Sequence, residues 1–234
     1  VNVTLISNLL HSVKQLQPVA QAYDRGDVAV LEHPLGNNVQ ALYLATPGTF
    51  EPAPELTDTI VLGQQRPWDL ENSIYQQSII VHEAYHCLDD LQPSSDSTGH
   101  LASEARAWTG QAQYLAERLS SSSQPGEATE ALLTEMRESG MGDLECFALL
   151  LAVKAAPLPM AAQPAAELLA SQLRSSLTSL QGVDGMLGKP AESLPQALSL
   201  IYWTTPETKV ATDGVSRKRV GSEISLRGAE SRRL

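Results

Sequence analysis

The chain has 234 residues, of which 42% are hydrophobic and 18% charged, and a formal net charge of −11 at pH 7. That length buries a proper core, the composition excludes wholesale disorder, and the acidic balance argues against a nucleic-acid surface over the chain as a whole. No run approaches the roughly eighteen apolar residues of a membrane span; the longest, Cys146 to Val153, reads as a buried helix.

The sequence opens on Val1 rather than methionine, with no basic-then-apolar leader. The expectation is a chain from which a segment was removed or omitted, soluble and cytoplasmic rather than secreted. From Val3 to Tyr23, Leu5, Leu9, Val13, Leu16 and Ala20 recur at near-helical spacing with Pro18 as an interruption, predicting one helix or two short ones. Val28–Glu32 and Val39–Ala45 read as strands, joined by the turn formers His33 to Asn38 into a hairpin or meander. Residues 47–54 break the pattern, Thr59–Gly63 gives a third strand, and Asp69 is placed to cap the helix that follows.

That helix carries Val81-His82-Glu83-Ala84-Tyr85-His86, the pattern H-E-x-x-H. Positions four apart on a helix lie about 40° apart, so His82 and His86 can present two imidazoles to one ion. Glu83, about 100° from His82, falls beside the metal rather than on it, where it can take a proton from water. Asp89 returns to within about 20° of His82 and is placed to accept a hydrogen bond from the far nitrogen of a ligating ring. Ile80, Val81, Ala84, Leu88 and Leu91 form an apolar stripe on the other side, predicting one face in a core and one lining a cleft.

Two histidines leave zinc one protein ligand short. A metzincin would continue with glycine and a third histidine, but Asp89 and Gln92 stand at those positions. Beyond the turn formers Gln92 to Gly99 lies a second helical stretch, Ser103 to Tyr114, with Glu104 near its start as the natural third ligand and Asp89 and Asp90 as competitors. His100, four residues before Glu104, shares its face if the helix has begun by Thr98. It could donate to a substrate oxyanion or hold the ligand carboxylate, against the simpler reading of a solvated histidine. Tyr85 and Tyr114 are weaker donor candidates.

His82, Glu83, His86 and Glu104 together resemble the gluzincins, zinc metallopeptidases with H-E-x-x-H on one helix and a glutamate ligand about twenty residues on. The short insertion and the run Glu104-Ala105-Arg106-Ala107-Trp108 are most similar to the compact, bacterial-type minigluzincins, over roughly residues 25–120. Larger gluzincins often place an aspartate where Trp108 stands; either an outer role for Asp89 compensates for it here or the site is arranged differently. The resemblance implies Zn2+ on His82, His86 and Glu104, Glu83 as the catalytic base, and hydrolysis of a peptide bond in a peptide or protein substrate. The alternatives are a regulatory or binding module that keeps the metal site, or hydrolysis of a non-peptide amide or ester.

Ser121 to Gly126 reads as a linker, followed by helices near Glu127–Ser139, Asp143–Ala155, Pro164–Leu180 and Leu194–Trp203. Cys87 and Cys146 are too few for an extracellular framework, and a buried free thiol is expected at Cys87. From Thr205 to Leu234 seven Lys and Arg against four Asp and Glu give +3, leaving −14 for the rest. The organisation expected is a zincin-like unit over 1–120, a helical cap over 121–204 and a flexible basic tail over 205–234. The fold class is α+β: a small N-terminal sheet packed on the H-E-x-x-H helix, then a mainly helical C-terminal part.

Overall fold

The computed structural model describes residues 2–35, 39–46, 56–65, 67–93, 99–177, 183–203 and 222–225. The turns expected at 36–38, 47–54 and 94–98, and the basic tail apart from 222–225, lie outside them.

The first helical stretch is two helices. α1 (Val3–Ser12) starts at Asn2, whose side-chain oxygen accepts from the Thr4 and Leu5 amides. A 3-10 turn at Lys14–Leu16 leads into α2 (Gln17–Arg25). Pro18 stands in its first turn, where a missing N–H costs nothing, so the interruption in the sequence is a helix start. Gly26 ends α2 at φ +81°, the left-handed conformation that glycine adopts without a Cβ penalty.

The sheet corrects the expected hairpin. β1 (Ala29–His33), β2 (Val39–Leu44), β3 (Thr59–Gly63) and β4 (Ser222–Ser225) lie in the order β1-β3-β2-β4. β1 runs parallel to β3, and β2 is antiparallel to β3, so β3 separates the two strands expected to pair. Burial explains the order: every residue of β3 is buried, which only an interior strand permits, whereas β1 leaves Ala29 and Glu32 exposed at its edge. β4 comes from within the basic segment and pairs antiparallel with β2.

α3 (Ile74–Leu91) lies against β2 and β3, with Ile79, Ile80 and Ala84 in one core with Ala41, Tyr43, Ile60 and Leu62. Its N-cap is Ser73, whose hydroxyl accepts from the Gln76 amide; Asp69 instead accepts from Asn72 in the preceding turn. Leu91, expected in the apolar stripe, is exposed at the last position of the helix.

α4 (His100–Ser120), α5 (Pro125–Glu138), α6 (Asp143–Ala155), α7 (Gln163–Ser176), α8 (Val183–Leu187) and α9 (Pro190–Trp203) complete the fold. The break near Ser120 is a turn between α4 and α5. The same apolar core continues across it, from Ile6 to Tyr202. α6 is central: every residue from Glu145 to Val153 is buried, which explains its uninterrupted apolar run. Cys146 there and Cys87 on α3 are both buried free thiols. Among the described residues no helix is long and apolar enough to cross a membrane. A small sheet near the N-terminus followed by helices gives the α+β class expected.

Candidate metal centre

α3 and α4 bring His82, His86 and Glu104 together. One ligand atom from each lies within 4.8 Å of the others. His82 Nε2 is 3.5 Å from Glu104 Oε2, and His86 Nε2 is 3.5 Å from Glu104 Oε1. The two rings sit 5.1 Å apart by centroid, as the four-residue spacing requires.

The crossing of α3 and α4 depends on Gly110. A Cβ there would lie 2.0 Å from Cε2 of Tyr85, so only glycine lets the Tyr85 ring lie flat against α4. Glu104, six residues earlier on the same helix, lies beside the two histidines.

Each histidine is held from behind. Ser78 Oγ donates to the Tyr75 carbonyl at 2.7 Å, so its oxygen is free to accept Gln111 Nε2 at 3.0 Å. That fixes the Gln111 amide with Oε1 towards His82 Nδ1, 3.1 Å away. An oxygen there accepts only from a protonated Nδ1, so Nε2 of His82 carries the lone pair that faces Glu104. Ser103 does the same for His86. Its Oγ donates to Asp89 Oδ2 at 2.6 Å and accepts from His86 Nδ1 at 2.9 Å, leaving Nε2 unprotonated. Arg106 donates to the same Asp89 oxygen. Asp89 therefore holds the His86 ring through Ser103.

His82, Glu83 and Glu104 have no exposed surface, and His86 is 6% exposed. Burial is the main force on His86, pushing its pKa down to about 3 against the pull of Glu104, so the ring is neutral. For Glu104 burial pushes upward, and the charge that the His86 and His82 rings carry when protonated outweighs it and draws the carboxyl below its ordinary range; against neutral rings only the upward push of burial is left. Among the described residues no cleft opens onto these groups: α4 covers the histidine face of α3, and α9 closes over Glu104. Tyr202 of α9 donates to Glu104 Oε2 at 2.8 Å and accepts from Trp108 Nε1 at 3.3 Å. Burial, then the nearby Glu104 carboxylate, raises this phenol far above its ordinary pKa. Trp108 also meets the His82 ring edge-on, at 5.5 Å between centroids.

His100 is the first residue of α4, and its side chain is 47% exposed. Its Nδ1 is 3.9 Å from Glu104 Oε1, too far for a hydrogen bond. Tyr114 is turned away from the site and donates to Gln77. The sequence reading missed Gln111, Ser103 and Tyr202. Gln111 had a signal, since seven residues after Glu104 it returns to the same helix face.

The donor set fits a metal ion. His82 Nε2, His86 Nε2 and Glu104 Oε1 are buried with no hydrogen-bond partner among the described residues. A buried polar atom left unpaired costs about 1–3 kcal/mol, so three in one cluster are a heavy cost unless something binds them together. Two neutral imidazoles and a carboxylate are a His2Glu set suited to zinc. Comparison of the chain with protein-family models, with curated proteins and with solved structures gives no match.

Proposed function

We propose that the chain is a zinc-dependent hydrolase of peptide bonds, with His82, His86 and Glu104 as the metal ligands and Glu83 as the general base. The observation that carries the reading is the convergence of three buried donor atoms without hydrogen-bond partners among the described residues, next to a buried glutamate on the helix of the two histidines. Zinc held there supplies Lewis acidity, polarising a carbonyl and making a water more acidic.

The chain's own groups do the rest. Gln111 and Ser103 fix the ring tautomers, so both lone pairs point inward without reorganisation. Glu83 takes the proton of the attacking water and returns it to the departing amine. A structural site does not require that glutamate, which favours the enzyme. Zinc analysis of the purified chain, together with a peptide-library assay of wild type and Glu83→Gln, tests the reading. Zinc near one per chain with cleavage lost in the variant supports it; no zinc after reconstitution of folded protein removes it.

A second reading has its own observation. Glu83 and Glu104 have no exposed surface and Tyr202 sits on the Glu104 carboxylate, as in a module that holds an ion without open access to a substrate. Zinc uptake without cleavage of any library member favours that reading.

A further inference from the structure

Tyr202 reaches the centre from 98 residues beyond Glu104, and its hydroxyl meets both Glu104 and Trp108. A phenol has one hydrogen to give. Because the Trp108 N–H points at Oη, that hydrogen goes to Glu104 Oε2. The two oxygens of the carboxylate are therefore unlike: Oε2 accepts from Tyr202, whereas Oε1 is buried with no hydrogen-bond partner among the described residues. The Tyr202 ring is itself held, edge-on to His100 at 5.4 Å and on a helix packed mainly against α6 and α4. A donor so fixed restrains the rotation that would bring both oxygens to one ion.

Resting on the metal reading above, we infer that Tyr202 is a positioning residue of the centre: its hydroxyl holds Glu104 as a one-oxygen ligand through Oε1. The same bond ties α9 to the ion, so metal uptake and the docking of α9 strengthen each other. Trp108 is part of the device, because its N–H decides which way the phenol hydrogen points.

The test is Tyr202→Phe in the full chain, which keeps the ring and removes the hydroxyl. Zinc affinity is read by chelator competition, and ligand geometry by the visible spectrum of the cobalt(II)-loaded protein. The variant is expected to bind zinc about 10-fold more weakly, the lower end of what an outer hydrogen bond to a ligand is worth. Its cobalt bands should weaken as Oε2 is freed to join the ion, while far-UV circular dichroism of the metal-free form stays as in wild type. Zinc affinity within about twofold of wild type with superposable cobalt spectra overturns the inference and leaves the metal reading intact. A wild type that takes up neither zinc nor cobalt overturns the metal reading, and this inference with it. If Tyr202→Phe does not fold, hydrogen exchange of the wild type decides. Zinc should slow the amides of Pro190–Trp203 beyond the protection it gives α1; equal protection of both overturns the inference.

Discussion

Nδ1 of His82 and Oε1 of Gln111 lie 3.1 Å apart, joining α3 to α4 behind the side of the ring that faces Glu104. Without Gln111 the ring is free to carry its proton on either nitrogen, and one tautomer blocks the lone pair. Gln111→Ala is therefore expected to lower zinc affinity by about 10- to 100-fold while the helices remain folded. Chelator competition and circular dichroism on the same sample check this.

Glu83→Gln keeps size and shape but removes the base. Zinc content should stay at the wild-type level and turnover should fall by about 10²- to 10⁴-fold, the usual worth of a positioned general base. Unchanged turnover would assign proton transfer to another group.

Glu104→Ala removes a donor atom, whereas Asp89→Ala removes a partner of Ser103. Zinc affinity should fall further in the first than the about 10- to 100-fold expected in the second. For wild type, free zinc at about 100 times its dissociation constant adds ~2.7 kcal/mol of stability. In a chain of this size that raises the melting temperature by about 5–10 °C over the chelated form. Equal losses in the two variants would remove Glu104 from the ligand set.

Gly110→Ala puts a methyl where the Tyr85 ring lies. Either the ring swings out or α3 and α4 part, at a cost of about 1–3 kcal/mol. Both outcomes disturb the approach of Glu104 to the histidines, so thermal stability and zinc affinity should fall together. A variant losing stability with zinc affinity intact would separate the crossing from the site.

His11 Nε2 meets Asp24 Oδ2 at 2.7 Å on the surface, joining α1 to α2. The bond to Asp24, helped by Gln17, raises His11 above 6.5, and the bond to His11, helped by Ser7, lowers Asp24 below 3.8. The raised histidine contributes fully below pH 6.5 and loses its contribution as pH rises through its folded value. The lowered aspartate contributes above pH 3.8 and loses its contribution as pH falls through its folded value. The pair is therefore strongest between those limits. NMR titration of His11 should give a midpoint above 6.5 that returns towards it in Asp24→Asn; no such return would discount the pair.

What was legible in the sequence was local. Two histidines four apart on a helix face are fixed by backbone geometry alone, and β3 announced itself as Ile60-Val61-Leu62 between turn residues. Glu104 required only a short reversal between adjacent helices. Strand order was different: that β3 lies between β1 and β2 depends on which strand is buried on both faces, a property of the whole assembly. Asp69 and Ser73 are both capable caps four residues apart, and tertiary placement chose the serine. Tyr202 had no signal, because nothing near it in sequence points to a carboxylate 98 residues away.

The seal over the centre makes time, as well as affinity, a property of the fold. Among the described residues His82, Glu83 and Glu104 are at zero exposure and only His86, at 6%, touches solvent, so exchange at the centre is aided whenever a covering element lifts. The residence time of an ion held there would then depend on the packing of α9 against α6 and α4 as well as on the ligand bonds. Substitutions in the apolar packing of α9, at Leu194, Leu198 or Ile201, thus become the natural means of setting the clock of the centre without touching a ligand.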